Sequence, residues 1–393
     1  MLTSLALIFL LGLIAGAIFN KIKLPSLIGM ILVGILMSPY VFNLLDTKLL
    51  DIAADLRQIA LVIILTRAGL SLDINALKKV GRPAILMCFV PACFEIVGVI
   101  LIGTQLFGIN IVDAAIMGSV IAAVSPAVIV PRMIKLMDEG YGVQNSIPQL
   151  ILAGAAVDDI FVIVLFTAFT NLASGESFTL SSIFQVPIAI VLGIIGGVGI
   201  GYILVYLFKK WQMRDVVKVL VVLSTSFLLI ELENQLEGIV PFSGLLAIMS
   251  MGIIMNRNDA ALSSSLSKKY NALWIGAEVL LFVLVGATVN LNAAMQLGVV
   301  ALVIVIGALG IRMIGVSICL IRTSLTFKER LFCMLAYTPK ATVQAAIGGI
   351  PLAMGLACGQ EVLTVAVLAI LITAPFGAIT MDYTYKKLLD LNK

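Results

Sequence analysis

The chain has 393 residues, of which 61% are hydrophobic, 12% are charged and none is His. Soluble domains carry about 25% charged residues, and this chain has a mean hydropathy of +1.17. These values exclude both a single water-soluble core and a disordered chain. They predict a polytopic membrane protein whose apolar surface faces lipid. The net charge of +4 says little until the charges are placed along the chain.

Apolar stretches of about 20 residues, the length that crosses a bilayer, recur along the whole chain. The first has no basic region before it and is followed by Lys21 and Lys23, so it predicts a retained span with its N-terminus outside. The connections are short, and no soluble domain is expected. Thirteen spans are predicted, at about residues 2–20, 24–45, 57–74, 84–108, 111–131, 148–173, 184–208, 216–232, 239–256, 271–290, 296–321, 331–354 and 362–385.

The basic residues test this count, because Lys and Arg concentrate on the cytoplasmic side of membrane proteins. With thirteen spans and the N-terminus outside, 20 of the 25 Lys and Arg fall in cytoplasmic segments. The predicted outer loops hold Lys48 and Arg57, together with acids such as Glu231, Glu233 and Glu237. We therefore expect an N-out, C-in topology. The cytoplasmic set is Lys21, Lys23, Lys78, Lys79, Arg82, Arg132, Lys135, Lys209, Lys210, Arg214, Lys218, Arg257, Lys268, Lys269, Arg322, Lys328, Arg330, Lys386, Lys387 and Lys393.

Two blocks of six spans, about 2–173 and 216–385, flank the seventh span at about 184–208, so the blocks enter the membrane with opposite orientation. Such inverted repeats, with broken helices and a midplane site, are a common transporter plan. The fifth span of each block carries a helix breaker, in the sequences SPAVIVP (125–131) and TPKATVQ (338–344). Proline removes a helix hydrogen bond and clashes with the preceding turn. We expect spans 5 and 12 to be unwound and to cross, within one transmembrane unit of residues 1–393.

Ionisable side chains in hydrocarbon are expensive and mark function by default. Six lie in the middle of predicted spans. Because adjacent helical residues point about 100° apart, one carboxylate of the Asp158–Asp159 pair can face a water-filled cavity while the other meets a partner. The six are Glu95, Asp158, Asp159, Glu278, Arg312 and Lys340.

Carboxylate and hydroxyl oxygens are hard ligands that suit Na⁺ or Li⁺ better than a soft transition metal. Burial and a like-charged neighbour both raise the proton affinity of such an acid pair, so a proton and a cation compete for it. We therefore expect Asp158 and Asp159 to bind the ion, with Ser125 and Thr342 at the two breaks as further ligands. A buried ion pair with a purely structural role is the alternative.

The buried bases are expected to act as counter-charges. Arg stays protonated in proteins, so Arg312 is a fixed charge whose first candidate partner is Glu95 and whose second is one of the Asp pair. Lys340 follows the second break, where it can compensate the dipole of a half-helix C-terminus or an acid. Both a structural role and a coupled role remain open for Lys340 and for Glu278.

Small residues suggest close packing and no further chemistry. Cys88, Cys93, Cys319, Cys333 and Cys358 lie in apolar runs without a CxxC pair, which is typical of packing residues. Gly193, Gly197 and Gly201 form a small-xxx-small face in span 7. That face permits either packing within the protomer or a dimer contact.

The chain resembles monovalent cation:proton antiporters of the branch with paired aspartates, and especially the sodium/hydrogen exchanger-like subfamily that also occurs in animals. The stretches that carry the resemblance are LVIILTRAGLSLD (61–73), VSPAVIVPRM (124–133), AGAAVDDI (153–160) and YTPKATVQAAIGG (337–349). The resemblance implies a homodimer, a six-helix core domain, Asp159 as chief ion and proton carrier with Asp158 as its partner, and elevator-like alternating access. Well-known electrogenic members carry Lys where this chain has Arg312, so an electrogenic stoichiometry is not implied.

The leading hypothesis is a secondary antiporter that exchanges Na⁺ or Li⁺ for H⁺, without a cofactor, in a bacterial inner membrane. A K⁺/H⁺ antiporter and a sodium-coupled symporter of a small organic anion are the alternatives. The symporter would need polar and aromatic residues facing a cavity, of which the sequence shows few. A channel lacks a filter-like repeat, and an enzyme lacks His, a nucleophile elbow and a phosphate-binding loop.

Overall fold

The computed structural model describes residues 1–72, 81–173, 180–236 and 239–391. Within these ranges the regular secondary structure is α-helical, apart from an isolated bridge between Tyr141 and Leu391. Lys78, Lys79, Glu237 and Lys393 lie outside the described residues. The helices are α1 (Leu2–Lys21), α2 (Ser26–Met37), α3 (Thr47–Asp51), α4 (Ala53–Ser71), α5 (Arg82–Met87), α6 (Val90–Leu106), α7 (Ile111–Ala122), α8 (Pro126–Glu139), α9 (Ile147–Ala173), α10 (Leu180–Lys210), α11 (Asp215–Leu236), α12 (Gly244–Asn258), α13 (Ala260–Ala287), α14 (Leu291–Cys319), α15 (Phe327–Ala336), α16 (Thr342–Ile347), α17 (Ile350–Ala353) and α18 (Gly359–Leu388).

These helices are long and apolar enough to make the chain a multi-pass membrane protein. Each of the thirteen predicted segments overlaps at least one of them. Eight helical segments of the described residues have the length and hydropathy of a membrane span. They are Leu2–Lys21, Arg82–Leu106, Ile111–Glu139, Ile147–Ala173, Ile188–Lys210, Ala260–Ala287, Gln296–Cys319 and Gly359–Leu388. Shorter apolar helical segments cover Ser26–Met37 and Thr342–Ala353.

The chain forms two compact units. The first comprises Met1–Ala54, Asn75–Ser174 and Val279–Lys393, and the second comprises Asp55–Ile74 and Gly175–Glu278. In the first unit α6 packs against α7 and α14, and α9 packs against α7 and α8. In the second unit α12 packs against α10 and α11.

The small-residue face of α10 packs within the second unit. A Cβ atom on Gly193, Gly197 or Gly201 would lie within 3 Å of a backbone oxygen of α12 or of its N-cap Ser243. Glycine is therefore required for this close approach of two helices. Of the two alternatives that the sequence left open for this face, packing within the protomer is the one observed.

Local sequence explains where several helices begin and end. Asn110 caps α7 by accepting a hydrogen bond from the Asp113 backbone N–H at 2.8 Å, and Thr326 with Glu329 forms a capping box at the start of α15. Gly140, with φ of +81°, ends α8 in the left-handed region that glycine tolerates best.

Both predicted helix breaks are confirmed. One span is interrupted between Ala122 and Pro126, where α7 ends and α8 begins, and another between α15 and α16 over residues 337–341. Pro126 has no N–H to continue the hydrogen-bond ladder and disfavours the helical region for the residue before it. Ser125 accordingly has extended backbone angles, with φ of −87° and ψ of 111°. The sequence therefore dictates the position of the break.

Candidate functional site

The two interruptions lie against each other in the first unit. The Ser125 backbone N–H donates to the Pro339 carbonyl at 2.8 Å. The side chain of Gln344, from α16, donates to the carbonyls of Ala123 at 2.8 Å and Ile121 at 3.3 Å. Backbone groups released by a helix break must find partners in hydrocarbon. Here each interrupted span supplies partners to the other.

Glu95, on α6, is the centre of a buried charge network. Its Oε2 accepts from Arg312 at 2.7 Å and from Lys340 Nζ at 2.5 Å, and the three side chains are no more than 1% exposed. Arg312 comes from α14 and Lys340 from the interruption before α16. The predicted pairing of Arg312 with Glu95 is therefore present, and Lys340 shares the same carboxylate oxygen.

Arg312 uses its whole guanidinium group. Nε donates to the Tyr337 carbonyl at 3.1 Å, NH2 donates to Asp158 Oδ2 at 3.0 Å, and NH1 donates to the Ala122 carbonyl as well as to Glu95. The Tyr337 ring lies 5.4 Å from the guanidinium carbon. The guanidinium group is rigid and has several N–H donors, so it can make all of these contacts at once. The ammonium group of a lysine, a single point charge, could not. Arg312 thus connects the acids with both interruptions.

Lys340 contacts both of the groups that the sequence analysis gave as its alternative partners, an acid and the C-terminus of a half-helix. Its Nζ donates to Glu95 and also, at 3.3 Å, to the carbonyl of Ala122, the last residue of α7. The last carbonyls of a helix carry partial negative charge. Lys340 and Arg312 therefore neutralise an acid and the C-terminus of a half-helix together.

The two aspartates on α9 have different surroundings, as the angle between adjacent helical residues predicts. Asp158 is fully buried, and its Oδ2 accepts from Arg312 and from the Val124 backbone N–H at 2.9 Å. Asp159 is 9% exposed, and no ion pair of the described residues includes it. Asp158 is thus held in the network, whereas Asp159 is the acid of the pair that has no cationic partner in the described part of the chain.

Each of the four predicted ligand residues has one buried oxygen without a hydrogen-bond partner among the described residues. These oxygens are Ser125 Oγ, Thr342 Oγ1, Asp158 Oδ1 and Asp159 Oδ1. Buried polar atoms are nearly always hydrogen-bonded, so a group of exceptions in one region requires an explanation. Oxygen donors of this kind suit hard monovalent cations. The donor set therefore fits the cation that the sequence predicts.

Seven predicted residues lie in the first unit, and ion pairs join four of them directly: Glu95, Asp158, Arg312 and Lys340. The other three are close to these along the chain or through the backbone. Asp159 follows Asp158, Thr342 lies two residues after Lys340, and the Ser125 N–H donates to the Pro339 carbonyl. Glu278 differs, because it belongs to the second unit, where it is half-buried and interacts electrostatically with Arg67.

Sequence reasoning missed four contributors to the site. Tyr337 and Gln344 are fully buried beside the charges, the Val124 N–H holds Asp158, and Thr373 Oγ1 accepts from the Lys340 backbone N–H at 2.9 Å. Tyr337 and Gln344 are polar residues of the stretch YTPKATVQAAIGG (337–349), and their place beside the second break was the signal that could have identified them. The backbone N–H of Val124 carries no signal in residue type.

A membrane protein whose described secondary structure is helical, and whose buried acids lie beside two interrupted helices, has the architecture expected of an ion transporter. The sequence profile described as "Sodium/hydrogen exchanger, transmembrane" matches residues 6–386. The chain belongs to this family of monovalent cation:proton antiporters.

Individual relatives agree with this assignment. Human sodium/hydrogen exchanger 9B2 is 32% identical over 407 residues, which cover 99% of this chain and 75% of the relative. Human sodium/hydrogen exchanger 9B1 is 30% identical, over 99% of this chain and 78% of its own length. The structure of the sodium proton antiporter MjNhaP1 from Methanocaldococcus jannaschii matches with a TM-score of 0.85 over 98% of this chain and 97% of that chain. At 20% identity, this likeness shows a shared fold. The curated relatives are named as exchangers and not as enzymes.

Proposed function

We propose that the protein is a secondary-active antiporter that exchanges Na⁺, or Li⁺, for H⁺ by alternating access. In this proposal the cation and the proton compete for the Asp158–Asp159 site. The observation that carries it is the position of Asp159, a nearly buried carboxylate that has no cationic partner among the described residues. It lies beside a network in which the four other charges are paired.

Charge accounting explains why such a site exchanges ions. Arg312 and Lys340 balance Glu95 and Asp158, so the charge of ionised Asp159 is left over. Burying an unpaired charge is costly. Either one proton or one monovalent cation removes that charge, and neither binds well when the other is present. Competition of this kind is sufficient to couple the two fluxes.

The residues have distinct roles in this proposal. Asp159 carries the cation or the proton, and Asp158 is its partner, held in place by Arg312 and the Val124 N–H. Ser125 and Thr342 contribute hydroxyl oxygens from the starts of α8 and α16. Arg312, Glu95 and Lys340 are counter-charges that fix the two interruptions relative to each other. The proposal includes no cofactor.

The architecture that we propose comprises thirteen spans, an N-out and C-in orientation, and inverted repeats at about 2–173 and 216–385 that flank a linker helix at about 184–208. The distribution of Lys and Arg supports the orientation. The matching breaks, which contact each other through Ser125 and Pro339, support the repeats. A homodimer, an elevator-like movement and a bacterial inner membrane stay predictions.

Exchange in proteoliposomes tests the function. Purified protein is reconstituted with a pH-sensitive dye inside, and a gradient of Na⁺, Li⁺ or K⁺ is imposed in the absence of any organic solute. We expect Na⁺ and Li⁺ to drive proton movement, and Asp159→Asn to abolish it. Asp138→Asn, at an exposed acid of α8, is the matched control and keeps full activity. Full activity of Asp159→Asn would refute the proposal, and dependence on an organic anion would favour symport instead.

A further inference from the structure

Gln344 is a fully buried amide whose orientation is fixed by its neighbours. It lies in α16, two residues after Thr342, and is 1% exposed. Its side-chain nitrogen faces two carbonyl oxygens, those of Ala123 and Ile121. A carbonyl accepts hydrogen bonds and cannot donate them, so the NH₂ group and not the oxygen must face these carbonyls. The Gln344 oxygen therefore points away from the end of α7.

That oxygen, Oε1, has no hydrogen-bond partner among the described residues. The amide is anchored at Ala123, and the next residue, Val124, donates its N–H to Asp158. The residue after that is Ser125, whose hydroxyl likewise has no partner within the described ranges. The Gln344 amide is thus anchored at the interruption between α7 and α8, one residue before the N–H that holds Asp158 and two residues before Ser125.

An amide oxygen has suitable chemistry for this position. It is a hard, neutral donor of the type that alkali and alkaline-earth cations use. It adds a ligand without adding a charge, so the balance between the two bases and Glu95 with Asp158 is unaffected. In hydrocarbon, an amide oxygen that finds no partner is destabilising, whereas coordination to a cation satisfies it.

We propose that Gln344 Oε1 is a ligand of the transported cation, in addition to the oxygens of Asp158, Asp159, Ser125 and Thr342. This inference rests on the proposed exchange function. It also assigns a second task to Gln344, because the NH₂ group of the same side chain satisfies the carbonyls at the end of α7.

Two substitutions separate the tasks of the oxygen and the nitrogen. Gln344→Met keeps the length of the side chain but removes both polar atoms. Gln344→Glu keeps an oxygen at the ligand position in either protonation state and loses the NH₂ donor. The half-saturating concentrations of Na⁺ and Li⁺ and the maximal exchange rate are measured at fixed pH in proteoliposomes. Gln149→Met, at another glutamine with an unpartnered oxygen on α9, is the matched control.

We expect Gln344→Met to raise the half-saturating Na⁺ concentration roughly tenfold, the effect of losing one polar contact to a charged group. The half-saturating Li⁺ concentration should rise less than that of Na⁺. Cations of different radius depend to different extents on ligand number and cavity size, so losing one ligand should change the preference between them. Gln344→Glu should lower the maximal rate, because the carbonyls of Ala123 and Ile121 lose their donor. It should raise the half-saturating Na⁺ concentration less than Gln344→Met does, because it keeps an oxygen at the ligand position. Gln149→Met should stay close to wild type in both quantities. If Gln344→Met does not fold, Gln344→Asn, which withdraws the oxygen by one methylene, is expected to show the same shift.

A purely structural role would give a different pattern. Gln344→Met and Gln344→Glu would then lower the maximal rate together and leave both half-saturating concentrations and their ratio unchanged, which would overturn the inference. If the wild-type protein shows no Na⁺- or Li⁺-driven exchange, the proposed function fails. If the wild type is active, Asp159→Asn is inactive and Gln344→Met keeps wild-type half-saturation, only the role of Gln344 fails.

Discussion

The network around Glu95 predicts a specific dependence between two buried charges. Glu95→Gln removes the carboxylate that receives both Arg312 and Lys340 while it preserves the shape of the side chain. Asp158 is then the one acid of the described network that contacts either base, so one buried positive charge loses the carboxylate that it contacts. Removing one partner of a buried ion pair typically costs about 3–5 kcal/mol, because the other charge stays uncompensated. We expect Glu95→Gln to destabilise the protein by that amount.

The double variant is the sharper test. Lys340→Met alone removes one base and leaves Arg312 between two acids, which also unbalances the network. In Glu95→Gln/Lys340→Met, Arg312 and Asp158 remain as a balanced pair at 3.0 Å. The double variant should therefore lose less stability than the sum of the single losses. The interaction energy of such contacting residues lies between about 0.5 and 3 kcal/mol, and the two contacts of Glu95 place this pair near the upper end.

Thermal unfolding of detergent-purified protein at one scan rate measures these differences, because membrane proteins rarely unfold reversibly and scan rate affects the midpoint. Lys135→Met is the matched control, since Lys135 is 52% exposed and lies 3.8 Å from Glu139. A surface pair of this kind contributes about 0–1 kcal/mol. If the losses of Glu95→Gln and Lys340→Met simply add in the double variant, the two side chains do not share a charge balance and the reasoning is wrong.

Three further predictions follow from the site and the fold. If protons and the cation compete for Asp159, as we propose, the half-saturating Na⁺ concentration of exchange should rise as pH falls, and a pH-independent value would contradict competition. Asp159 is the one acid of the described network left without a base, so exchange should move one cation per proton. Clamping the membrane potential should then change neither the direction nor the rate of exchange. A potential-dependent rate would implicate Lys340 as a second titrating group. In the second unit, Gly197→Val should destabilise by about 1–3 kcal/mol through overpacking against Ala247, measured by thermal unfolding, whereas Gly199→Ala, with open space at the Cβ position, should be neutral.

Hydropathy and proline positions predicted much of the fold. Every predicted span overlaps a helix, and both interruptions occur where proline removes a donor. Helix lengths were less predictable, since hydropathy marks the apolar part of a helix and not its ends. The segment predicted from residue 271 belongs to α13, which begins at Ala260, and α8 continues to Glu139 until Gly140 ends it. Polar residues outside the apolar stretch continue a helix as long as no breaker intervenes.

The charged part of the site was predictable because ionisable groups are rare in hydrocarbon and must find partners there. Their depth thus gave Glu95 as the first candidate partner of Arg312 and one of the two aspartates as the second, without choosing between Asp158 and Asp159. The sharing of Glu95 by Lys340, across 245 positions of the chain, depends on tertiary packing that no local pattern reports. Gln344 was missed for a different reason, since sorting charges by depth passes over a neutral amide whose importance comes from carbonyls of another helix.

The helix breaks and the charges at this site depend on each other. A break at Ala122 leaves carbonyls that need donors in a medium without water, and Arg312 and Lys340 supply them. Two bases at that depth need two acids, which Glu95 and Asp158 provide. Once these requirements are met, no base of the described network remains for Asp159. Its unpaired carboxylate is therefore a consequence of how the interrupted helices are stabilised, and a cation or a proton from outside the chain can satisfy the same requirement.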